Sequence, residues 1–124
     1  MPKILIIDDD VTITELLKTL VKIEGHTPTT VNDSTKAMEI ATSVDPDLIT
    51  LDLMMPGLSG FDLCELLQQE PTLAKIPILI VSARDDPESK QRALRAGAKD
   101  YLTKPFTADE LMQKINELTN ASLA

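Results

Sequence analysis

Ile4-Leu-Ile-Ile7 runs without alternation into Asp8-Asp9-Asp10, and this junction sets the reading of the whole chain. Four aliphatic residues in a row describe a strand covered on both faces, the pattern of a central strand in a parallel sheet. Two more short apolar runs follow, Leu48-Ile-Thr-Leu51 and Ile78-Leu-Ile-Val81. Between them lie segments with helical spacing. The first carries Ile13, Leu16, Leu17, Leu20 and Val21 and is closed by Gly25. The second, after Ser34, carries Ala37, Met38, Ile40, Ala41 and Val44; the third carries Phe61, Leu63, Cys64, Leu66 and Leu67. A fourth opens at Pro87, a good first-turn residue, and ends at Gly97. The last opens with Thr107-Ala-Asp-Glu110, a capping-box pattern, and carries Leu111, Ile115 and Leu118.

Two weaker strands complete the alternation. Thr27 to Val31 contains Pro28, which removes a ladder donor and so belongs at a sheet edge. Lys99 to Thr103 alternates polar and apolar residues and suits the opposite edge. The expected fold is α/β: a doubly wound (βα)₅ domain with one parallel five-stranded sheet between two helical layers. The order 2-1-3-4-5 satisfies both edge assignments, although they do not fix it.

Composition narrows the functional classes. The 124 residues fit one domain, expected over residues 1–119 with a polar tail at 120–124. Twelve basic against twenty acidic residues give a formal net charge of −8, which disfavours direct contact with nucleic acid. Phe61, Tyr101 and Phe106 are the only aromatics, too few for a base-stacking surface. No apolar run approaches the ~18 residues of a membrane span, and the N-terminus does not read as a signal peptide. A single cysteine, Cys64, has no internal partner and sits on the apolar stripe of its helix, which fits a reducing cytoplasm and a core position. His26, after Gly25, reads as a surface turn residue, and the methionines mark core or loop positions.

In an open parallel sheet, ligands collect beyond the carboxyl ends of the strands. Asp8, Asp9 and Asp10 follow the first strand, Asp52 the third, Ser82 ends the fourth and Lys104 follows the fifth. With the first and third strands adjacent, Asp8, Asp9 and Asp52 share one pocket. Two carboxylates ~5 Å apart repel by about 3 kcal/mol at an effective dielectric of 20, so such a group takes up protons or a cation. An all-oxygen donor set points to a hard ion, Mg²⁺ before Ca²⁺. Magnesium leaves room for a phosphoryl oxygen, and Lys104 and Ser82 supply a charge and a hydroxyl to it. An aspartate can itself accept the phosphoryl group as an acyl phosphate. Asp10 alone reads as the N-cap of the first helix.

From Lys3 to about Leu118 the chain resembles the receiver domain of two-component response regulators. The carriers are the Ile4–Asp10 segment, Leu51-Asp52-Leu-Met-Met-Pro56-Gly57-Leu-Ser-Gly60, Val81-Ser82-Ala83 and Tyr101-Leu-Thr-Lys104-Pro105-Phe106. Ser82 lies 30 residues and Lys104 52 residues beyond Asp52, as in that family. Receivers are themselves among the proteins from which the 2-1-3-4-5 order is known, so the order comes with the resemblance. The resemblance implies that Asp52 accepts a phosphoryl group from a sensor histidine kinase or histidine phosphotransfer protein. Mg²⁺ would be held by Asp8, Asp9, Asp52 and the Met54 backbone carbonyl. Ser82 would hydrogen-bond the phosphoryl group and Lys104 pair with it, after a cis Lys104-Pro105 bond. Ser82 and Tyr101 would form the switch, read by an effector or output domain on the face of the fourth helix, fifth strand and fifth helix. Lys90, Arg92, Arg95 and Asp100 place charges there that suit a receiver homodimer. Met54 and Arg84 occupy positions that tune phosphoryl lifetime in the family.

Three rival readings compete. The segment from Ile4 to Thr12 also resembles the opening D-x-D-x-T motif of haloacid-dehalogenase-like phosphatases, with Asp8 as nucleophile, Asp10 as general acid, and Val81-Ser82 and Lys104 as the next motifs. Only Asp109-Glu110 follow to serve as a final acidic motif, the chain is short for that family, and the Asp52–Gly60 loop would have no role. A pseudo-receiver that binds without turnover usually lacks an acidic residue or the lysine, and this chain keeps them all. A flavin carrier would not place three carboxylates against the cofactor's phosphate.

Overall fold

The computed structural model describes residues 2–123, of which the last three are described as backbone only. The elements alternate along the chain: β1 (Lys3–Ile7), α1 (Val11–Ile23), β2 (Thr27–Val31), a 3₁₀ turn (Ser34–Lys36) leading into α2 (Ala37–Val44), β3 (Leu48–Leu51), α3 (Gly60–Gln69), β4 (Ile78–Ser82), α4 (Pro87–Arg95), β5 (Asp100–Thr103) and α5 (Ala108–Leu123). Among the described residues the strands form one five-stranded parallel sheet in the order β2-β1-β3-β4-β5. The Pro28 strand and the alternating strand take the two edges, and β1, β3 and β4 lie between them.

Alternate residues of the central strands feed two cores. Leu5, Ile7, Ile49, Leu51, Ile78 and Ile80 pack with Ala37, Ala41, Leu63, Cys64 and Leu67 on one side. Ile4, Ile6, Leu48, Leu79 and Val81 pack with Leu17, Val21, Leu111 and Ile115 on the other. Helix starts follow the sequence. Asp10 caps α1 by accepting the Thr12 N–H at 2.9 Å, and Asp86 caps α4 by accepting the Ser89 N–H at 2.9 Å. Thr107 and Glu110 form the reciprocal capping box before α5, each bond 3.1 Å.

Two expectations need correction. His26 is buried, and its ring nitrogens have no hydrogen-bond partner among the described residues. Gly25 (φ 87°) donates its N–H to the Lys22 carbonyl and His26 donates to the Val21 carbonyl, which together make a Schellman motif. In that motif the residue after the glycine folds back over the helix rather than outward. At the other end, α5 continues to Leu123, so the stretch from Asn120 read as a tail is helical backbone; Ala124 lies outside the described residues.

Cys64 is buried, as its place on the apolar stripe requires. Burial, and then the charge of Glu65, push its thiol up to about 11. The fold therefore favours the neutral thiol. Stability from this group is complete below the ordinary thiol value of 9.0 and is lost as pH rises towards about 11. Native protein at neutral pH is expected to resist maleimide over hours and to label at once in denaturant. Rapid native labelling would contradict the packing.

Candidate functional site

Parallel pairing of β1 with both β2 and β3 aligns their carboxyl ends, so the residues that leave them meet at one rim. Ile7 pairs with Leu51, and the ladder continues past the strand ends: Asp8 donates its N–H to Val31 and Asp52 donates to Ile7, each 3.0 Å. These bonds fix both aspartates against the end of the sheet. Asp8 and Asp52 are buried and Asp9 is exposed. Each of the three carboxylates presents an oxygen within 4.8 Å of the other two.

Lys104 enters from β5. Its N–H donates to the Ser82 carbonyl at 2.8 Å, tying the loop to β4, and the Lys104-Pro105 bond is cis. Its ammonium lies 2.8 Å from Asp8 Oδ2 and 3.8 Å from Asp52 Oδ2. Asp52 Oδ1 accepts the Met54 N–H at 3.3 Å. Burial, and then the neighbouring charge of Asp8, raise the Asp52 carboxyl above its ordinary value; Lys104, the Met54 N–H and the Ser82 hydroxyl oppose the rise. One ammonium against three carboxylates leaves the pocket with excess negative charge. An all-oxygen set with one exposed member fits a hard divalent cation that keeps water ligands, Mg²⁺ before Ca²⁺.

Ser82 and Tyr101 both meet the main chain of Arg84. Ser82 Oγ accepts the Arg84 N–H at 3.3 Å, and the Tyr101 hydroxyl donates to the Arg84 carbonyl. The Arg84 guanidinium pairs with Asp86 at 3.6 Å. Asp10 stands apart: its carboxylate serves the α1 cap.

The sequence reading missed what holds the pocket from behind. Asn32, just past β2, donates from Nδ2 to the Asp8 carbonyl and to Thr14 Oγ1, both at 2.9 Å. Ser34 is buried, donates to the Pro56 carbonyl at 3.1 Å and accepts the Leu58 N–H at 3.2 Å. Polar residues directly after an edge strand were the available signal. Beside the pocket, Ile13, Leu16, Ala83, Lys104, Pro105 and Phe106 line an open, largely apolar groove of about 340 Å³.

Residues 4–116 match the family model described as the response regulator receiver domain. The chain belongs to that family. It is 38% identical over 118 residues to the DNA-binding dual master transcriptional regulator RpaA of Synechocystis, covering 95% of this chain and 49% of that one. It is also 38% identical over 116 residues to the response regulator MprA of Mycobacterium ulcerans, covering 94% of this chain and 49% of the relative. Among solved structures, the receiver domain of Francisella response regulator 1452 superposes with a TM-score of 0.91 at 36% identity, covering 98% and 99% of the two chains. The chain spans about half the length of the curated relatives it matches. DNA binding is named for relatives of that greater length, so the expectation of no nucleic-acid contact does not extend to them.

Receiver domains of response regulators are signalling modules of two-component systems, and membership of that family favours the receiver reading over the phosphatase one. No helix among the described residues is long and apolar enough to cross a membrane.

Proposed function

We propose that this receiver is a phosphorylation-dependent switch in which Asp52 accepts a phosphoryl group from a phosphohistidine on a sensor kinase or phosphotransfer protein. The observation that carries this reading is the charge arrangement at the rim: three carboxylates within 4.8 Å, Asp8 bonded to Lys104 through Oδ2, and Asp52 within reach of the same ammonium. Asp8, Asp9, Asp52 and the Met54 carbonyl would hold Mg²⁺, which supplies positive charge to neutralise the carboxylates and the developing phosphoryl oxygens. An Asp52 oxygen forms the new P–O bond as the P–N bond of the donor breaks and the electron pair returns to its imidazole. Lys104, already oriented by Asp8, pairs with a phosphoryl oxygen. Ser82 gives the hydroxyl donor.

The readout follows from the shared anchor at Arg84. A Ser82 hydroxyl drawn towards a phosphoryl oxygen leaves the Arg84 N–H, and the same main-chain segment holds the Tyr101 hydroxyl. Phosphorylation adds about two charges and three acceptors, contacts present in one state alone, which is what shifts a population. The α4–β5–α5 face then changes for its effector or output domain. A receiver homodimer through that face would have to work around internal pairing, since Lys114 already holds Asp100 at 3.0 Å and Arg92 lies 4.0 Å over the Phe61 ring. A cytoplasmic setting completes the reading.

The test is uptake from acetyl phosphate followed by intact mass. A phosphoryl-sized gain with Mg²⁺ and none with a chelator is expected; an equal gain without metal would overturn the cation's role. The groove beside the pocket is the apolar surface a protein donor meets as its phosphohistidine reaches Asp52. Leu16→Asp is therefore expected to slow transfer from a donor protein at least tenfold while leaving uptake from acetyl phosphate unchanged. Equal slowing of both would place Leu16 in stability instead.

A further inference from the structure

The loop from Leu53 to Ser59 crosses from the end of β3 to the cap of α3 without regular structure, and carries Met54 beside the pocket. Near the pocket its main chain is held by local bonds: the Met54 N–H to Asp52 Oδ1 at 3.3 Å and the Gly60 N–H to the Leu53 carbonyl at 3.1 Å. Farther out, the Ser34 hydroxyl reaches it from a different part of the chain, bonding Pro56 and Leu58 across Gly57 (φ 81°). Ser34 is 3% exposed, so both bonds are shielded from water and neither is cheaply exchanged for solvent. The serine is itself fixed. Asp33 Oδ1 accepts the Thr35 N–H at 3.0 Å and stiffens the 3₁₀ turn, which runs into α2 with Ala37 and Ala41 in the core. Two residues upstream, Asn32 holds the Asp8 carbonyl. The short link between β2 and α2 thus grips the main chain on both sides of the acidic group.

We propose that Ser34 is a positioning residue for the acidic pocket: its hydroxyl sets the Met54–Leu58 main chain, and divalent-cation affinity depends on it. The inference rests on the proposed function, because it takes the pocket to be a cation site. Groups behind metal ligands typically change affinity by 10–100-fold when removed. As Ser34 acts on the loop through main chain, Ser34→Ala is expected at the low end, about tenfold.

Mg²⁺ titrations of the whole chain by calorimetry and by amide NMR would compare wild type, Ser34→Ala, the nearly isosteric Ser34→Cys, and Thr35→Ala. The N–H and hydroxyl of Thr35 both bond Asp33 in the same turn, and towards the loop it presents only a methyl beside Gly57, so its variant shares any loss of turn stability without breaking a hydrogen bond to the loop. The expected result is weaker Mg²⁺ binding in both Ser34 variants, unchanged binding in Thr35→Ala, and metal-free amide shifts at Met54 and Leu58 in the Ser34 variants only. In phosphoryl uptake, Ser34→Ala would raise the Mg²⁺ needed for half-maximal rate and leave the limiting rate unchanged. Equal Mg²⁺ affinity in Ser34→Ala and Thr35→Ala overturns the role of Ser34 while leaving the cation site intact. A wild-type chain that binds no Mg²⁺, or binds it equally after Asp9→Asn, overturns the cation site and this inference together.

Discussion

Asp52→Asn is expected to abolish phosphoryl uptake and, at neutral pH without metal, to make the domain more stable. The loss follows because an amide oxygen is too weak a nucleophile to form the acyl phosphate. The gain follows from charge. Asp52 and Asp8 are buried together, and at ~5 Å two carboxylates repel by about 3 kcal/mol at an effective dielectric of 20. Lys104 offsets part of that, so a net gain of about 1 kcal/mol, or a rise in Tm of roughly 3–6 °C, is the expected size. The sign of the pH dependence is fixed by the raised Asp52 carboxyl. A carboxyl whose folded value lies above its unfolded value of 3.8 stabilises the fold when protonated and costs stability as pH rises from 3.8 through the folded value. The Tm difference between variant and wild type is therefore expected at neutral pH and should shrink as pH falls towards 3.8. Mg²⁺ should raise the Tm of the wild type by more than that of the variant. A variant that is less stable than wild type at neutral pH would contradict the electrostatic account.

Gly60→Ala is expected to damage fold and site at once. A Cβ at Gly60 would lie 2.3 Å from the Asp52 carbonyl oxygen and 2.4 Å from Leu53 Cα, both backbone atoms that have nowhere to go. Helix α3 would have to retreat from the end of β3, opening the Gly60 N–H bond to Leu53 and disturbing the cap that Ser59 provides by accepting the Asp62 N–H at 3.2 Å. Overpacking of this kind costs about 2–4 kcal/mol. Far-UV circular dichroism in denaturant would measure it, as the chain has no tryptophan. Gly25→Ala is the control: its Cβ meets nothing within 4 Å and only the positive φ resists it, for a cost of about 1 kcal/mol. A Gly60 variant no worse than the Gly25 variant would show that α3 is not wedged against the β3 end.

What could be read from the sequence was whatever depends on local pattern. Short apolar runs without polar–apolar alternation put β1, β3 and β4 in the centre, Pro28 sent β2 to an edge, and Asp10, Pro87 and Thr107–Glu110 marked helix starts. The acidic group was legible because strand ends in a parallel sheet share a rim, so position along the chain becomes position in space. What escaped notice depends on contacts between loops. Ser34 reaches Pro56 because β2–α2 and β3–α3 cross the same rim on either side of β1, and nothing in either segment alone shows it. His26 was misplaced because the residue after a helix-ending glycine turns inward only when the paired Schellman bonds form. Thr50 hid inside an aliphatic run; its hydroxyl is buried without a partner among the described residues.

The most direct test of the central claim is to locate the phosphoryl group. Protein treated with acetyl phosphate and Mg²⁺, trapped with borohydride and digested, should carry its modification on Asp52 and nowhere else among Asp8, Asp9 and Asp10. Modification at Asp8, with steady release of inorganic phosphate, would contradict the account and make the first strand, not the third, the seat of the chemistry.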